Sequence, residues 1–522
     1  MRKKPHYYED VRGNACRRWQ QLEADDELAG PWRQLFWQIQ SPRHVISELL
    51  QNADDAGAAS ARVSIEAGVF TFQHDGKDFS EEEFRSLCRF GYSNKRNLHT
   101  IGFRGVGFKA TFSLGNSVDV LTPTLAVQFK KERFTEPVWL EHEPIGQLTT
   151  VRVKINDSHR QQDLGKNLKE WRDSPASLIF FNNIRKLELD GETVEVRQLD
   201  VGPVASSWRR ELLGSGGPSN LLIFQSKEEP FPEDAVIEIR NERFSDETEF
   251  PPCRIEIVLG LPDAERLFVV LPTGVCPNLP FSINGPFLQD PARMGIKDPS
   301  ISPTNRWLLS RVGRLAAETM LLWLENQDLD LEERAAAYQL LPPTAKAGGS
   351  LDACVTQIIC EAFDEAICAK SCVLTHAGDL VSVGSCFSPP RAIRRVWKPA
   401  EIIELFGDDE NTELAHEFSE ETCDRLSNRN WLNNLLPSVV IDRLTSGDPP
   451  PRPQALSSLL ELWEFVHKSI GSDWRGDRQS KVAMVPVEGQ PVLFSALSVV
   501  RLPTNRKNLP QADWAFLAGF AR

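Results

Sequence analysis

Three separated groups of residues in this chain have the types and spacing that chemistry needs. In HVISELLQNADDAGA, Glu48 and Asn52 stand four residues apart in a stretch with helical apolar spacing, so both project from one face. Val45, Ile46, Leu49 and Leu50 cover the opposite side. An amide oxygen is a hard, neutral ligand suited to Mg2+, and a carboxylate beside it can hold or deprotonate an attacking water. In QHDGKDFS, Asp75-Gly76 follows an apolar strand and precedes a helix. The glycine lets a flat ring approach the backbone, and the carboxylate can accept a hydrogen bond from an exocyclic amine such as adenine N6. In TIGFRGVGFKATF, Gly102, Gly105 and Gly107 open a helix expected over Phe108–Leu114. Such a loop turns backbone amides toward an anion at the positive end of a helix, and Arg104 and Lys109 add full charges. The loop has neither the Rossmann spacing nor the GK[ST] ending of a P-loop.

The elements that must position these groups are readable from periodicity. Helices are expected from about Tyr8 to Asp55, interrupted at Ser41-Pro42 and ended at Gly57. Strands are expected at Ala61–Glu66 and Val69–His74, hinged at Gly68, and a serine-capped helix at Ser80–Phe90. Alternating runs at Ser117–Leu121, Leu125–Phe129 and Thr149–Ile155 complete the first domain, with a boundary expected near Asp163–Asp173. Beyond it, Leu178–Phe181, Ile184–Leu189, Leu221–Phe224, Ala235–Ile239, Arg254–Val258 and Leu267–Leu271 read as strands of a second α+β domain. Asn305–Leu324 reads as a long amphipathic helix leading into a mainly helical third region. There, two helices, Leu351–Lys370 and Pro453–Ile470, each precede an apolar strand and a glycine turn, at Gly378 and Gly489, as in a weak internal repeat. The domains expected are therefore 1–172, 173–328 and 329–522.

Taken together, the three groups follow each other in the order helix carboxylate and amide, Asp-Gly, glycine-rich loop into helix. Glu48 to Asp75 and Asp75 to Gly102 are each 27 residues. This pattern resembles the GHKL superfamily of ATPases, which includes gyrase, the heat-shock-ninety chaperones, histidine kinases and MutL. ELLQNADDAGA and GFRGVGFKATFSL are most similar to sacsin-type ATPase domains, and LPFSINGPFLQDPARMGIKDP resembles the stretch that follows the nucleotide domain there. The resemblance covers about residues 1–325 and implies an α+β chain: a Bergerat-type α/β sandwich with helices on one face of a mixed sheet, then a ribosomal-S5-like transducer domain.

By position, the resemblance implies Glu48 as general base, Asn52 as Mg2+ ligand and Asp55 as organiser of the water network. It implies Asp75 as the adenine-binding residue with Gly76 allowing close approach, and Gly102, Arg104, Gly105, Gly107, Phe108 and Lys109 around the phosphates. Ser93 and Lys95 fall in the expected lid, which is short here. Thr149-Thr150 resembles the third glycine-box region, with the Thr150 hydroxyl supporting the adenine pocket. Arg293 or Lys297 would reach the γ-phosphate from the second domain. The implied cofactors are ATP and Mg2+, and the implied activity is slow ATP hydrolysis by a conformational clamp. That clamp would act on a protein partner or client, chaperone-like or in bacterial antiviral defence, and allows a homodimer.

Composition sets the alternatives. Hydrophobic residues make 41% and charged residues 25% of the 522, the balance of a globular protein. The net charge of −14 disfavours broad nucleic-acid binding, which weighs against a DNA-processing machine of MutL type. No apolar run of about 18 residues is present, so no transmembrane helix is expected. Ten cysteines without a CxxC spacing fit a reducing cytoplasm. A scaffold that holds ATP without hydrolysing it is the other reading, and Glu48 weighs against it.

Overall fold

The computed structural model describes residues 3–25, 27, 29–30, 32, 34, 36, 45–89, 107–144, 146–214, 216–243, 249–261, 266–290, 295–344, 348–409, 411–471, 480–499 and 512–517. The chain divides into two compact units, Met1–Ala316 with Ala345–Phe363, and Ala317–Thr344 with Asp364–Arg522.

In the first unit, helix α1 (Tyr8–Ala24) precedes α2 (Val45–Asp55). Val45, Ile46, Leu49, Leu50 and Ala53 of α2 are buried, as their spacing requires. The end of α2 is a Schellman turn: the Ala58 N–H donates to the Ala53 carbonyl (3.0 Å) and the Gly57 N–H to that of Asp54 (2.9 Å), with Gly57 at φ +74°. Strands β1 (Ser60–Glu66) and β2 (Val69–His74) then form a hairpin over the Ala67-Gly68 turn. Helix α3 (Glu81–Leu87) opens with a Ser80–Glu83 capping box. The segment Gly107–Ser113, expected as an α-helix, is a 3-10 helix.

The sheet continues with β3 (Ser117–Leu121), β4 (Ala126–Lys130), β5 (Arg133–Trp139) and β6 (Thr149–Lys154). Residues 158–173, where a domain boundary was expected, form a single helix α4 (Ser158–Asp173), with Leu164, Leu168 and Trp171 in the core. Then follow β7 (Lys186–Leu189), β8 (Glu192–Val201), β9 (Ser207–Gly214), β10 (Gly217–Gln225), helix α5 (Glu233–Arg243), β11 (Glu256–Leu259), β12 (Leu267–Val269), β13 (Leu271–Pro272) and β14 (Ser282–Asn284). All fourteen strands join one mixed sheet in the order β13-β12-β14-β11-β10-β9-β8-β7-β1-β2-β6-β3-β4-β5. β1 pairs with β7 in parallel, so the strands before residue 172 and those after it share one sheet.

Two expected strands are corrected. Leu178–Phe181 lies in a 3-10 turn (Pro175–Ile179) and its flank, whose side chains fill the core under β8 and β9. Ala235–Ile239 lies inside α5, which starts with Glu233 and Asp234. Short apolar runs with β-branched residues do not distinguish a strand from a buried helix face, and the acids in the first turn, favourable at a helix N-terminus, mark the helix.

The face of the sheet toward α2 carries alternate residues. Phe70, Phe72 and His74 of β2 and Thr149, Val151 and Val153 of β6 are buried there. The other face carries a polar ladder: Arg152 pairs with Asp119 (2.9 Å) and Glu143 (2.6 Å), and the Gln128 side chain donates to Asp119 (2.8 Å).

The second unit has its own core, in which Phe387, Ile393, Leu459, Leu462, Val466 and Val482 are buried. Tyr338 is buried; its hydroxyl donates to the Cys372 carbonyl (2.7 Å) and accepts from the Leu374 N–H (2.9 Å). The two glycine turns noted in the sequence are both antiparallel hairpins, 373–381 and 483–495, with Gly378 at φ +92° and Gly489 at φ +72°.

Candidate functional site

Helix α2 presents Glu48 and Asn52 one turn apart, as their spacing requires. Glu48 is only 8% exposed and Asn52 is half-buried. Between them Gln51 is buried, and neither of its amide atoms has a hydrogen-bond partner among the described residues, an arrangement that costs free energy unless something else satisfies them. Asp55 is exposed. Its neighbour Asp54, which the sequence reading passed over, is buried and accepts from the N–H groups of Asn182 (2.9 Å), Asn183 (2.7 Å) and Ile184 (3.0 Å).

The C-terminal end of α2 meets the end of β2. The Lys77 N–H donates to the Ala56 carbonyl (2.9 Å). A Cβ on Gly76 would lie 3.0 Å from both the Ala56 Cβ and its carbonyl oxygen, and 2.9 Å from His74 Nδ1. Gly76 therefore serves close approach, as its place beside the aspartate suggested, although here the close partner is the helix end.

Asp75 is exposed at the end of β2, and its carboxylate also serves the backbone. Its Oδ1 accepts from the N–H groups of Ala59 (2.8 Å) and Ser60 (2.9 Å), and its Oδ2 from the Ser60 hydroxyl (2.8 Å). Burial pulls its pKa upward, but these donors outweigh it and hold the carboxyl below its usual range. The group clamps the start of β1 to the end of β2.

On the face toward α2 stand His74 and, directly opposite it in the register, Thr149. His74 is 8% exposed; its Nδ1 accepts from the Gly76 N–H (3.1 Å), and its Nε2 makes no hydrogen bond among the described residues. Burial lowers its pKa to about 4, against the opposing pull of Asp75, so it is neutral at pH 7. Thr149 is 2% exposed and its hydroxyl has no partner among the described residues. Thr150 points the other way: its hydroxyl accepts from the Gln73 side chain (3.2 Å) on the polar face. Strand alternation separates the pair Thr149 and His74 from the pair Thr150 and Gln73. The period-2 pattern of Phe70, Phe72 and His74 was the available signal.

Lys109 is also placed otherwise than expected. It is 1% exposed, its ammonium donates to the Leu87 carbonyl (2.7 Å), and it lies over the Phe108 and Phe129 rings at 5.0 and 5.1 Å. Phe108 is half-buried and packs against the same core. Lys109 thus caps a helix end from inside the core and does not stand toward a phosphate; the charge in the sequence pattern is used structurally. Lys297 is likewise held, by Glu238 and Glu242 of α5 at 2.8 Å each. Glu238 also accepts from the Ser302 hydroxyl (2.9 Å) and the Thr304 N–H (3.0 Å), so Lys297 completes a cluster at the start of the helix Pro303–Glu325. Reaching a γ-phosphate would require breaking both pairs. Gly107 opens the 3-10 helix. Ser93, Lys95, Gly102, Arg104, Gly105 and Arg293 lie outside the described residues.

Burial gives Lys109 a measurable signature. Desolvation lowers its pKa to about 7, against a smaller opposing effect of Cys88, whereas an unfolded lysine titrates near 10.4. Above pH 7 the unfolded chain binds the extra proton, so this group makes stability rise with pH. Cys88 acts in the opposite sense above about pH 8.5, because burial pushes its thiol up to about 12. Lys109→Met is therefore expected to lose a rise in urea-unfolding free energy that wild type shows between about pH 7 and 8.5. The same rise in both proteins would contradict a buried, neutralised Lys109.

No group of three or more His, Cys, Asp or Glu side chains suited to a metal occurs among the described residues, and no described helix is long and apolar enough to cross a membrane. Residues 40–162 match the family of histidine kinase-, DNA gyrase B- and HSP90-like ATPases. That segment, which runs from before α2 to the start of α4, is an ATPase domain of the GHKL superfamily. No curated protein matches the chain.

Proposed function

We propose that this chain binds ATP with Mg2+ on the α2 face of the sheet and hydrolyses it slowly, as a nucleotide-driven clamp. The observation that carries this reading is the buried Glu48 one turn from Asn52, on α2 of the family-matched segment. The donor set fits the metal: a single amide oxygen from the chain leaves the remaining positions to triphosphate oxygens and water, which is how Mg2+ is usually held. Gln51, buried with its amide unpaired among the described residues, supplies further polar capacity on the same helix. When bound, Mg2+ would neutralise charge on the phosphates. Glu48 would orient a water and take its proton as the oxygen attacks, and its shelter from solvent keeps competing water away.

The domain assignment is 1–172 for nucleotide, 173–328 for a transducer and 329–522 for a helical C-terminal region with two helix-strand-turn repeats. With Lys297 committed to α5, Arg293 remains as the cation to contact the γ-phosphate. Coupling of nucleotide state to a protein client or partner, chaperone-like or in antiviral defence, rests on the sacsin-type likeness of ELLQNADDAGA.

The test is phosphate release by the purified chain from ATP, with and without Mg2+, beside calorimetric binding. Slow, Mg2+-dependent release is expected. Binding without release would replace the enzyme by an ATP-stabilised scaffold, and absence of both would overturn the reading.

A further inference from the structure

We propose that a cavity in the second unit binds a free α-amino acid with an apolar side chain, holding its carboxylate at Arg394 and its ammonium at Glu417 and Asp424. The cavity has a volume of about 190 Å3, and its lining residues lie between 388 and 435, within the second unit. The proposal does not depend on the nucleotide reading.

Local sequence builds a cationic and an acidic wall. Pro389-Pro390 ends the strand Cys386–Ser388 and leads into the helix Arg391–Val396. Arg391 and Arg394, three residues apart there, share a face and line the cavity. Ser419 caps a second helix, Glu420–Asn428, its hydroxyl accepting from the Thr422 N–H (3.2 Å). Glu420, Cys423 and Asp424, at spacings of three and four, share the face of that helix which lines the cavity. Glu417, just before it, adds a third carboxylate.

The opposite charges hardly meet. Among the lining residues one ion pair forms, Arg391 with Glu420 at 3.9 Å, between exposed side chains, where such a pair contributes little. Arg394 is half-buried. Its Nη2 donates to the Ala415 carbonyl (3.0 Å), with the Ser388 hydroxyl and the His416 carbonyl each at 3.4 Å. Its Nε and Nη1 make no hydrogen bond, and it forms no ion pair, among the described residues. Burial lowers its pKa against the smaller opposing pull of Glu417. The cation has therefore lost water without gaining a carboxylate in contact.

That arrangement selects the ligand. The free N–H groups of Arg394 offer a carboxylate charge-assisted hydrogen bonds. Glu417 and Asp424, both exposed, accept from an ammonium and repel a second negative charge, which disfavours phosphates. A molecule carrying one charge of each sign satisfies both walls. The rest of the lining favours an apolar side chain: Pro389 and Phe418 are buried and Leu435 is half-buried. The volume falls below the roughly 300–1,000 Å3 of pockets for drug-sized ligands, which leaves room for one small molecule.

The experiment is calorimetric titration of the full chain with L-leucine, beside N-acetyl-leucine, leucinamide and glycine. Leucine is expected to bind with a dissociation constant of about 10 mM or below. N-acetyl-leucine lacks the ammonium and leucinamide the carboxylate, so each is expected to bind about tenfold or more weaker. Glycine leaves the apolar wall uncovered and is expected to lose about fivefold or more. The double variant Glu417→Gln, Asp424→Asn changes exposed side chains only and is expected to melt as wild type. It should bring leucine and N-acetyl-leucine within about threefold of each other. Arg394→Gln should weaken leucine about tenfold and leave leucinamide unchanged. Arg394 also holds the Ala415 carbonyl, so if that variant unfolds the double variant decides the matter alone. No heat from leucine at roughly 20 mM, or leucine and N-acetyl-leucine binding equally to wild type, would overturn the proposal. So would a double variant that discriminates the two as wild type does. Acetate binding as tightly as leucine would reduce the cavity to a simple anion site.

Discussion

Glu48→Ala should leave Mg2+-ATP binding within a few-fold of wild type while lowering hydrolysis roughly 10²–10⁴-fold, the usual worth of a general base. The separation follows from what the side chain is asked to do. A base acts on the attacking water and gains its advantage in the transition state, so its loss appears in turnover and hardly in affinity. Glu48→Gln keeps the shape and tests whether charge and basicity matter. Asn52→Ala should behave differently, weakening binding only when Mg2+ is present, because the amide would act through the metal. Glu48 is buried in a well-packed helix, so melting curves must accompany the rates. A Glu48→Ala protein that melts normally and turns over at the wild-type rate would remove Glu48 from the mechanism.

Asp54→Ala should be the most damaging single change to stability near the site. Its carboxylate accepts three backbone N–H groups, from Asn182, Asn183 and Ile184, and its own carbonyl accepts from the Asn183 side chain (2.9 Å). Those residues lead directly into β7, which pairs in parallel with β1. Asp54 thus ties α2 to the strand that joins the two halves of the large sheet. Hydrogen bonds to a charged group contribute more than neutral ones, and removing the acceptor strands several donors, so a loss on the order of 3–5 kcal/mol is expected. Asp55→Ala, one residue on at an exposed position, should cost about 1 kcal/mol or less. Urea unfolding of the two variants decides the matter; equal losses would show that the Asp54 anchor carries little.

The residues that sequence reasoning placed well are those whose environment is set locally. Glu48, Asn52 and the apolar stripe of α2 follow from 3.6-residue spacing, and Gly57 marked the helix end because its turn needs a left-handed residue. Where spacing alone did not reach, the deciding partner was distant in sequence or lay on the alternate face of a strand. In a strand a shift of one position exchanges the two faces, and this separates Thr149 from Thr150 and His74 from Asp75. The Asp-Gly pair drew attention by its chemistry, yet its carboxylate is held by Ser60, fifteen residues earlier and across the hairpin. Lys109 looked like a phosphate ligand because it follows a glycine-rich loop; only the fold shows the Leu87 carbonyl and the two rings that enclose it. Similarly, nothing local to Lys297 announced that α5, read as a strand, would bring Glu238 and Glu242 to it. The parallel pairing of β1 with β7 lies beyond periodicity altogether, since it joins segments more than 120 residues apart.

The central claim, a Mg2+-ATP site over α2 and the adjoining ends of β2 and β6, is tested most directly by hydrogen exchange of the full chain. Exchange would be compared with and without Mg2+ and a non-hydrolysable ATP analogue. The expected result is added protection of 48–58, 73–77 and 149–151, with little change in the hairpin 483–495 of the second unit. An analogue that binds yet leaves those three segments exchanging as in the free protein would contradict it.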